Sequence, residues 1–248
     1  QNDFPIPIYE VNLPSQGLFY PDKQSVAKVK QLTAADENIL FSKELIIKQT
    51  VLNVLLENNL TEWTVPVPNM LVGDKNACLI KIRIEGFGDE YDVKKTCMDC
   101  GDEFTQTVLL SLLKNKPIVE KPDAQGYFAF VLPKSKHKVK FRSLTVKDES
   151  YLSQMANQPS KVKTAVPQLI TEQYVLLVME VDGITDKGMI KKAMSNMPAG
   201  DSVALRNHMS SVAPGVDMSY NFTCTNCGHQ FVDDVPIQSQ FLWPNSTL

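Results

Sequence analysis

The chain has 248 residues, 43% of them hydrophobic and 21% charged, and a formal net charge of −3. This balance excludes a disordered chain, and the length suffices for one large or two small domains with their own cores. A slightly acidic protein is not expected to hold nucleic acid mainly through phosphates, and no apolar run approaches the ~20 residues of a membrane span. The opening Gln1, in place of a Met, suggests a processed or trimmed chain.

In chain order, weak alternation and the turn signals SQG and YPD predict hairpin-like strands up to about residue 32. Helices are predicted over 34–41 and 43–58, the second with a broad apolar face of Leu45, Ile46, Leu52, Leu55 and Leu56. Residues 74–84 carry Leu79, Ile80, Ile82 and Ile84, a run that fits helix or strand. Strands are expected on both sides of each CxxC. A second hairpin is predicted over 127–132 and 136–142, then helices over 146–156, 166–181, 187–195 and 200–210.

The chain reads as two copies of one unit. Residues 29–40, VKQLTAADENIL, match 141–152, FRSLTVKDESYL, at Leu-Thr, Asp-Glu and the final Leu. In each copy a Thr can cap a helix whose third residue is acidic, so Asp36-Glu37 and Asp148-Glu149 read as helix-start charges rather than acid/base pairs. Upstream stand Leu13-Pro14-Ser15 and Leu132-Pro133-Lys134-Ser135; downstream stand TCMDCGDEF at 96–104 and TCTNCGHQF at 223–231. The expected fold is therefore α+β: two similar halves from a tandem duplication, 1–112 and 126–248, joined by a polar linker at 113–125 with two prolines. The second half holds extra helical sequence at about 185–213.

Four of the five cysteines form the two CxxCG turns. One such turn offers two thiolates, and a closed structural zinc site needs four, so Cys97, Cys100, Cys224 and Cys227 are expected to share one zinc ion. This is a zinc-ribbon-like pattern with one knuckle from each half. Redox-active dithiols are the weaker reading, because such motifs open a helix whereas Glu103-Phe104 and Gln230-Phe231 continue into β-like sequence; structural disulfides also remain open. Four thiolates leave no coordination position for a catalytic water. His229 reads as a neighbour of the site, not a ligand, and Cys78 as a small buried hydrophobe.

Lys134, Lys136, Lys138, Lys140 and Arg142 recur at every second residue, with Val139 and Phe141 between them. On a strand this makes one cationic face, either a solvated, charge-protected edge or a docking surface for an acidic partner. His137 and His208 have no nucleophile or acid placed near them in sequence, and no phosphate loop, nucleophile elbow or HExxH motif is present. No enzyme is expected. The apolar ends, with Phe241, Leu242 and Trp243 before Pro244, are expected to pack back on the core or to anchor in a neighbouring subunit.

The order LPSxGxFYP (13–21), LTxxDExxL (32–40), an apolar helix, GDKxxxLIKIRIxGFGDEY (73–91) and CxxCG (97–101) resembles baseplate hub and hub-assembly proteins of T-even-type contractile-tailed bacteriophages. The closing FLWP is similar as well. The resemblance covers about the first hundred residues and the C-terminal cysteine segment. It implies a non-enzymatic part of a phage tail baseplate, or a factor that assembles it, made in the bacterial host cytoplasm. Its partners would be other tail proteins, with no membrane or small-molecule substrate and no active site to carry over. The alternative is a zinc-ribbon protein that binds nucleic acid or accompanies transcription, with the cationic strand on phosphates.

Overall fold

Alternation along Val26–Lys30 (β2) turns Ala27 and Val29 fully inward and leaves Val26, Lys28 and Lys30 half-buried. β2 pairs antiparallel with Ile8–Asn12 (β1) on one side and Leu60–Thr61 (β3) on the other. The structure, a computed structural model describing residues 5–48, 50–157, 169–237 and 239–242, is α+β, with eight α-helices and four small antiparallel sheets among the described residues. Between β2 and β3 lie α1 (Ala34–Leu40), α2 (Lys43–Ile47) and α3 (Val51–Asn59). Then come α4 (Val72–Phe87) and the hairpin β4 (Glu90–Thr96) and β5 (Glu103–Leu109).

The second half follows a similar order, with two described helices rather than three inside its sheet and two rather than one before its hairpin. β6 (Tyr127–Val131), β7 (Lys138–Arg142) and β8 (Val178–Val181) form a sheet with β7 in the middle, and α5 (Val146–Asn157) and α6 (Leu169–Leu177) lie between β7 and β8. α7 (Lys187–Ser195) and α8 (Ala199–Val212) follow, then the hairpin β9 (Ser219–Thr223) and β10 (Gln230–Asp234). α7 and α8 occupy the 185–213 stretch predicted to be helical, where the first half has the short 3-10 turn Val67–Asn69 and α4.

The capping boxes form as the sequence predicts. Asp36 Oδ2 accepts from the amide and hydroxyl of Thr33, both at 2.8 Å, and Asp148 Oδ2 accepts from those of Thr145 at 2.9 and 2.6 Å. Arg142 adds a two-pronged ion pair to Asp148 at 2.6 and 2.9 Å. Burial raises the proton affinity of both carboxylates, but these donors outweigh it and hold both below the usual range.

A second pair of aspartates was not singled out from sequence. Asp74 and Asp201 each occupy the third position of a helix, α4 and α8, and both are fully buried. Asp74 accepts from the Ser15 amide at 2.9 Å and the Tyr20 hydroxyl at 2.6 Å. Asp201 accepts from the amides of Lys134 and Ser135 at 2.7 and 2.9 Å. Each carboxylate thus ties a helix start to the turn between the first two strands of its own sheet.

Several expectations are corrected. The helix predicted over 43–58 breaks into α2 and α3, and Ile46 and Ile47 of α2 are exposed while Leu55 and Leu56 of α3 are fully buried. The helix predicted over 166–181 ends at Leu177, because Val178 and Val181 pair with β7; residues 166–168 lie outside the described residues. Residues 74–84 are helical, and even Lys75 and Arg83 of α4 are buried, so the helix is covered nearly all round. That is why it showed no single apolar stripe.

The apolar side chains form two clusters. The larger joins the first half to Val146, Val216 and the hairpin β9–β10 with Phe241 and Leu242. The smaller is built from residues 128–212. The contact between halves includes Val72 N to Leu144 O at 3.1 Å and Val146 N to Met70 O at 2.9 Å. Within the 113–125 segment, Lys116 N donates to Gly215 O at 2.8 Å, and Lys114 O accepts from Asp217 N at 2.7 Å. No helix among the described residues is long and apolar enough to cross a membrane.

Candidate metal centre

The two cysteine turns are built alike. β4 and β5 close on Thr96 opposite Glu103, and β9 and β10 on Thr223 opposite Gln230. Inside the turns Cys97 N donates to Asp102 O and Cys224 N to His229 O, both at 2.9 Å. Gly101 N returns to Cys97 O at 3.0 Å, and Gly228 N to Cys224 O at 2.9 Å. Gly101 and Gly228 have φ of 78° and 75° with open space where a Cβ would sit, so glycine serves here for its backbone conformation.

Docking of the hairpins brings all four sulfurs within 4.8 Å of one another, a group that could hold a metal ion. Cys97 Sγ lies 3.6 Å from Cys227 Sγ, and Cys100 Sγ 3.7 Å from Cys224 Sγ. Cys97 and Cys224 are buried, and Cys100 and Cys227 exposed. The sequence-predicted ligand set is therefore brought together as one cluster, two thiols from each half.

Polar struts and aromatic contacts hold the hairpins in register. The Gln106 side chain acts as a short extra strand on β9: its Oε1 accepts from Thr223 N at 2.8 Å and its Nε2 donates to Asn221 O at 3.0 Å. Lys95 Nζ donates to Asp233 Oδ2 at 2.6 Å and Asp234 O at 2.9 Å, and lies over the Phe222 ring. Asn226 Nδ2 donates to Asp102 Oδ2. The two motif phenylalanines, Phe104 and Phe231, meet edge to face at 6.1 Å. His229 stacks on Phe231 and is outside the thiol group.

The electrostatics favour ionising one thiol first. The amide of Cys227, then that of Asn226, pull Cys224 down to about 7. The His229 amide also favours a Cys227 thiolate, but partial desolvation and the three neighbouring sulfurs push that thiol up to about 12. Thiolates brought this close repel one another, and a bound cation would neutralise that repulsion. Cys78 stands apart in α4, fully buried, its thiol raised by burial and then by Asp74, as expected of a small hydrophobe.

The other candidates fall differently. The cationic strand is only partly a strand: Lys134 and Lys136 sit in the preceding turn, with Lys136 at φ 64°. β7 is the central strand of its sheet, so the edge reading is corrected. Lys138 is exposed, but Lys140 pairs with Glu180 at 2.9 Å and Arg142 with Asp148, so the two are engaged within the chain. Phe241 and Leu242 are fully buried in the larger core and Tyr91 packs edge-on against Phe241, so these two are not anchors for a neighbour. Trp243 lies outside the described residues. His137 is exposed and bonds Asp182 at 2.5 Å, and His208 stacks on Phe130.

Comparison with protein-family models, with curated proteins and with solved structures finds no match.

Proposed function

We propose that the four thiols hold one structural zinc ion and that the chain is a zinc-stabilised, non-enzymatic component of a contractile phage-tail baseplate, in its hub region. The observation that carries the metal reading is the convergence of Cys97, Cys100, Cys224 and Cys227 from two hairpins far apart in sequence. A tetrahedral zinc with Zn–S bonds of about 2.3 Å requires sulfurs about 3.8 Å apart. The 3.6 and 3.7 Å separations fit that spacing. An all-thiolate set selects zinc or an iron–sulfur centre over hard cations, and two hairpin turns facing each other suit a ribbon-like zinc site. Zinc here would cross-link the halves and leave no position for substrate.

The repeated element order, the paired capping boxes and the paired helix-start aspartates support a tandem duplication, each copy supplying one cysteine turn. A rigid, cross-linked body suits a subunit that works by complementarity with other tail proteins in the virion. The tail assignment itself rests on the motif order at 13–21, 32–40, 73–91 and 97–101. Against the nucleic-acid alternative stand the engaged Lys140 and Arg142 and the net charge of −3.

Native mass spectrometry of chain purified without chelator is expected to find one zinc per chain; metal-free chain with five freely reactive thiols would sink the reading. Cys224→Ser is expected to lose the metal and at least about 3 kcal/mol of stability. Genes for tail and baseplate proteins flanking this one would support the assignment, and flanking transcription genes would favour the alternative.

A further inference from the structure

Remote from the thiols, and independent of any metal, a cavity of about 360 Å3 opens between the end of β7, α6 and α8. Its apolar wall includes Phe141, Leu177 and Met209, all buried in the smaller core. Its polar lining includes Arg142, Ser143 and Arg206, with Gln173 and Ser210 beside them. We propose that this cavity binds a carboxylate carried on a small apolar body.

Three observations converge. Arg206 is half-buried and gives Nη1 to Ser202 Oγ at 2.8 Å and Tyr174 Oη at 3.4 Å, yet no carboxylate pairs with it among the described residues. A guanidinium has five N–H donors in a planar fork that matches a carboxylate, so part of this one is unused. Ser143, also in the lining, has a buried Oγ with no hydrogen-bond partner among the described residues, and a hydroxyl is rarely left so unless something else completes it. Charge and wall together select the ligand. Arg142, Arg206 and the nearby Lys187 outnumber the carboxylate of Asp148, so the site favours an anion. The apolar wall favours an anion carried on an apolar body, which inorganic phosphate lacks. Apolar pockets with a few convergent polar groups are how proteins hold small ligands, and the volume lies at the lower end of their usual range.

The test uses the full chain labelled at methionine methyls, with the Met209 signal assigned through Met209→Leu. Hexanoate and N-acetylleucine are titrated beside hexanol, N-acetylleucine amide and inorganic phosphate. At least one carboxylate is expected to shift the Met209 methyl with a Kd of about 1 mM or tighter. The neutral analogues and phosphate are expected to bind at least about tenfold more weakly. Binding of hexanoate alone would identify a free fatty carboxylate as the ligand; binding of N-acetylleucine alone would identify a chain terminus.

Arg206→Gln is expected to weaken the carboxylate about tenfold. Ser143→Ala separates ligand binding from folding, because removing an orphaned hydroxyl should raise the melting temperature while weakening the ligand. The proposal is overturned if neutral analogues or phosphate shift Met209 as strongly as the carboxylates. It is equally overturned if neither carboxylate shifts it, or if Arg206→Gln and Ser143→Ala both leave the Kd unchanged.

Discussion

Helices α4 and α8 carry the same second and third residues, Gly73-Asp74 and Gly200-Asp201, and both aspartates hold the strand–strand turn of their own sheet. Their surroundings differ. A Cβ on Gly73 would lie 2.0 Å from the carbonyl oxygen of Pro214, whereas one on Gly200 would meet the Lys134 side chain at 3.8 and 3.9 Å. Asp74 faces a phenol and one amide, and burial drives its carboxyl above the usual range. Asp201 is also pushed up by burial, but two backbone amides outweigh that and hold it below the range. The same position in two similar units thus meets different energetics. The start of α4 is wedged against the segment leading into β9, so it belongs to the contact between halves; the start of α8 lies within its own half.

The largest expected effect follows from that wedge. Gly73→Ala sets a methyl against backbone that cannot rotate away, and Gly215 beside it accepts the Lys116 amide on the approach to the second cysteine turn. A loss of about 3 kcal/mol is expected in urea unfolding, at the upper end for overpacking. The displaced hairpin is also expected to hold metal less firmly, read by competition with a chelator. A fully stable Gly73→Ala protein would remove the distinction between the two helix starts.

The aspartates sharpen the comparison through pH. A carboxyl held below its unfolded value, about 3.9, contributes stability above that value and loses it as pH falls through the folded pKa. The cost of Asp201→Asn is therefore expected to shrink as pH drops below about 4. Asp74 has the opposite sign. The folded state takes up its proton first, so wild-type stability rises as pH falls from the raised folded value toward about 3.9, and the cost of Asp74→Asn grows over that window. Urea midpoints of both variants between neutral and acid pH would show the two slopes. Parallel slopes would mean that the phenol of Tyr20 and the amides of Lys134 and Ser135 act alike.

What was legible in the sequence was local. The CxxCG turns and LTxxD boxes are completed by residues within a few positions, so their spacing predicted Gly101, Gly228, Asp36 and Asp148 in the roles they hold. The thiol cluster was legible because the same local turn occurs twice. Asp74 and Asp201 escaped because each binds a turn remote in the chain, and a Gly-Asp pair is too short a signal to stand out. The alternating lysines misled for a related reason. Period two continues through Lys134 and Lys136, but Lys136 N bonds back to Leu132 O and the strand starts only at Lys138. The Arg206 cavity had no sequence signal, because its lining comes from β7, α6 and α8.

The smallest effect is the most discriminating, because it has the opposite sign to the largest. Gly200 lies in the first turn of α8, and a Cβ there finds ordinary contact distances to Lys134 Cγ and Cε at 3.8 and 3.9 Å. Gly200→Ala adds no clash and removes backbone freedom from the unfolded chain, a gain of about 0.4–1 kcal/mol. The carboxylate of the next residue still reaches the amides of Lys134 and Ser135, since these bonds do not involve position 200. A small rise in melting temperature is expected, with metal content unchanged. A loss comparable with that of Gly73→Ala would mean that α8 is wedged as tightly as α4, and the difference between the two helix starts would then not come from the seam between halves.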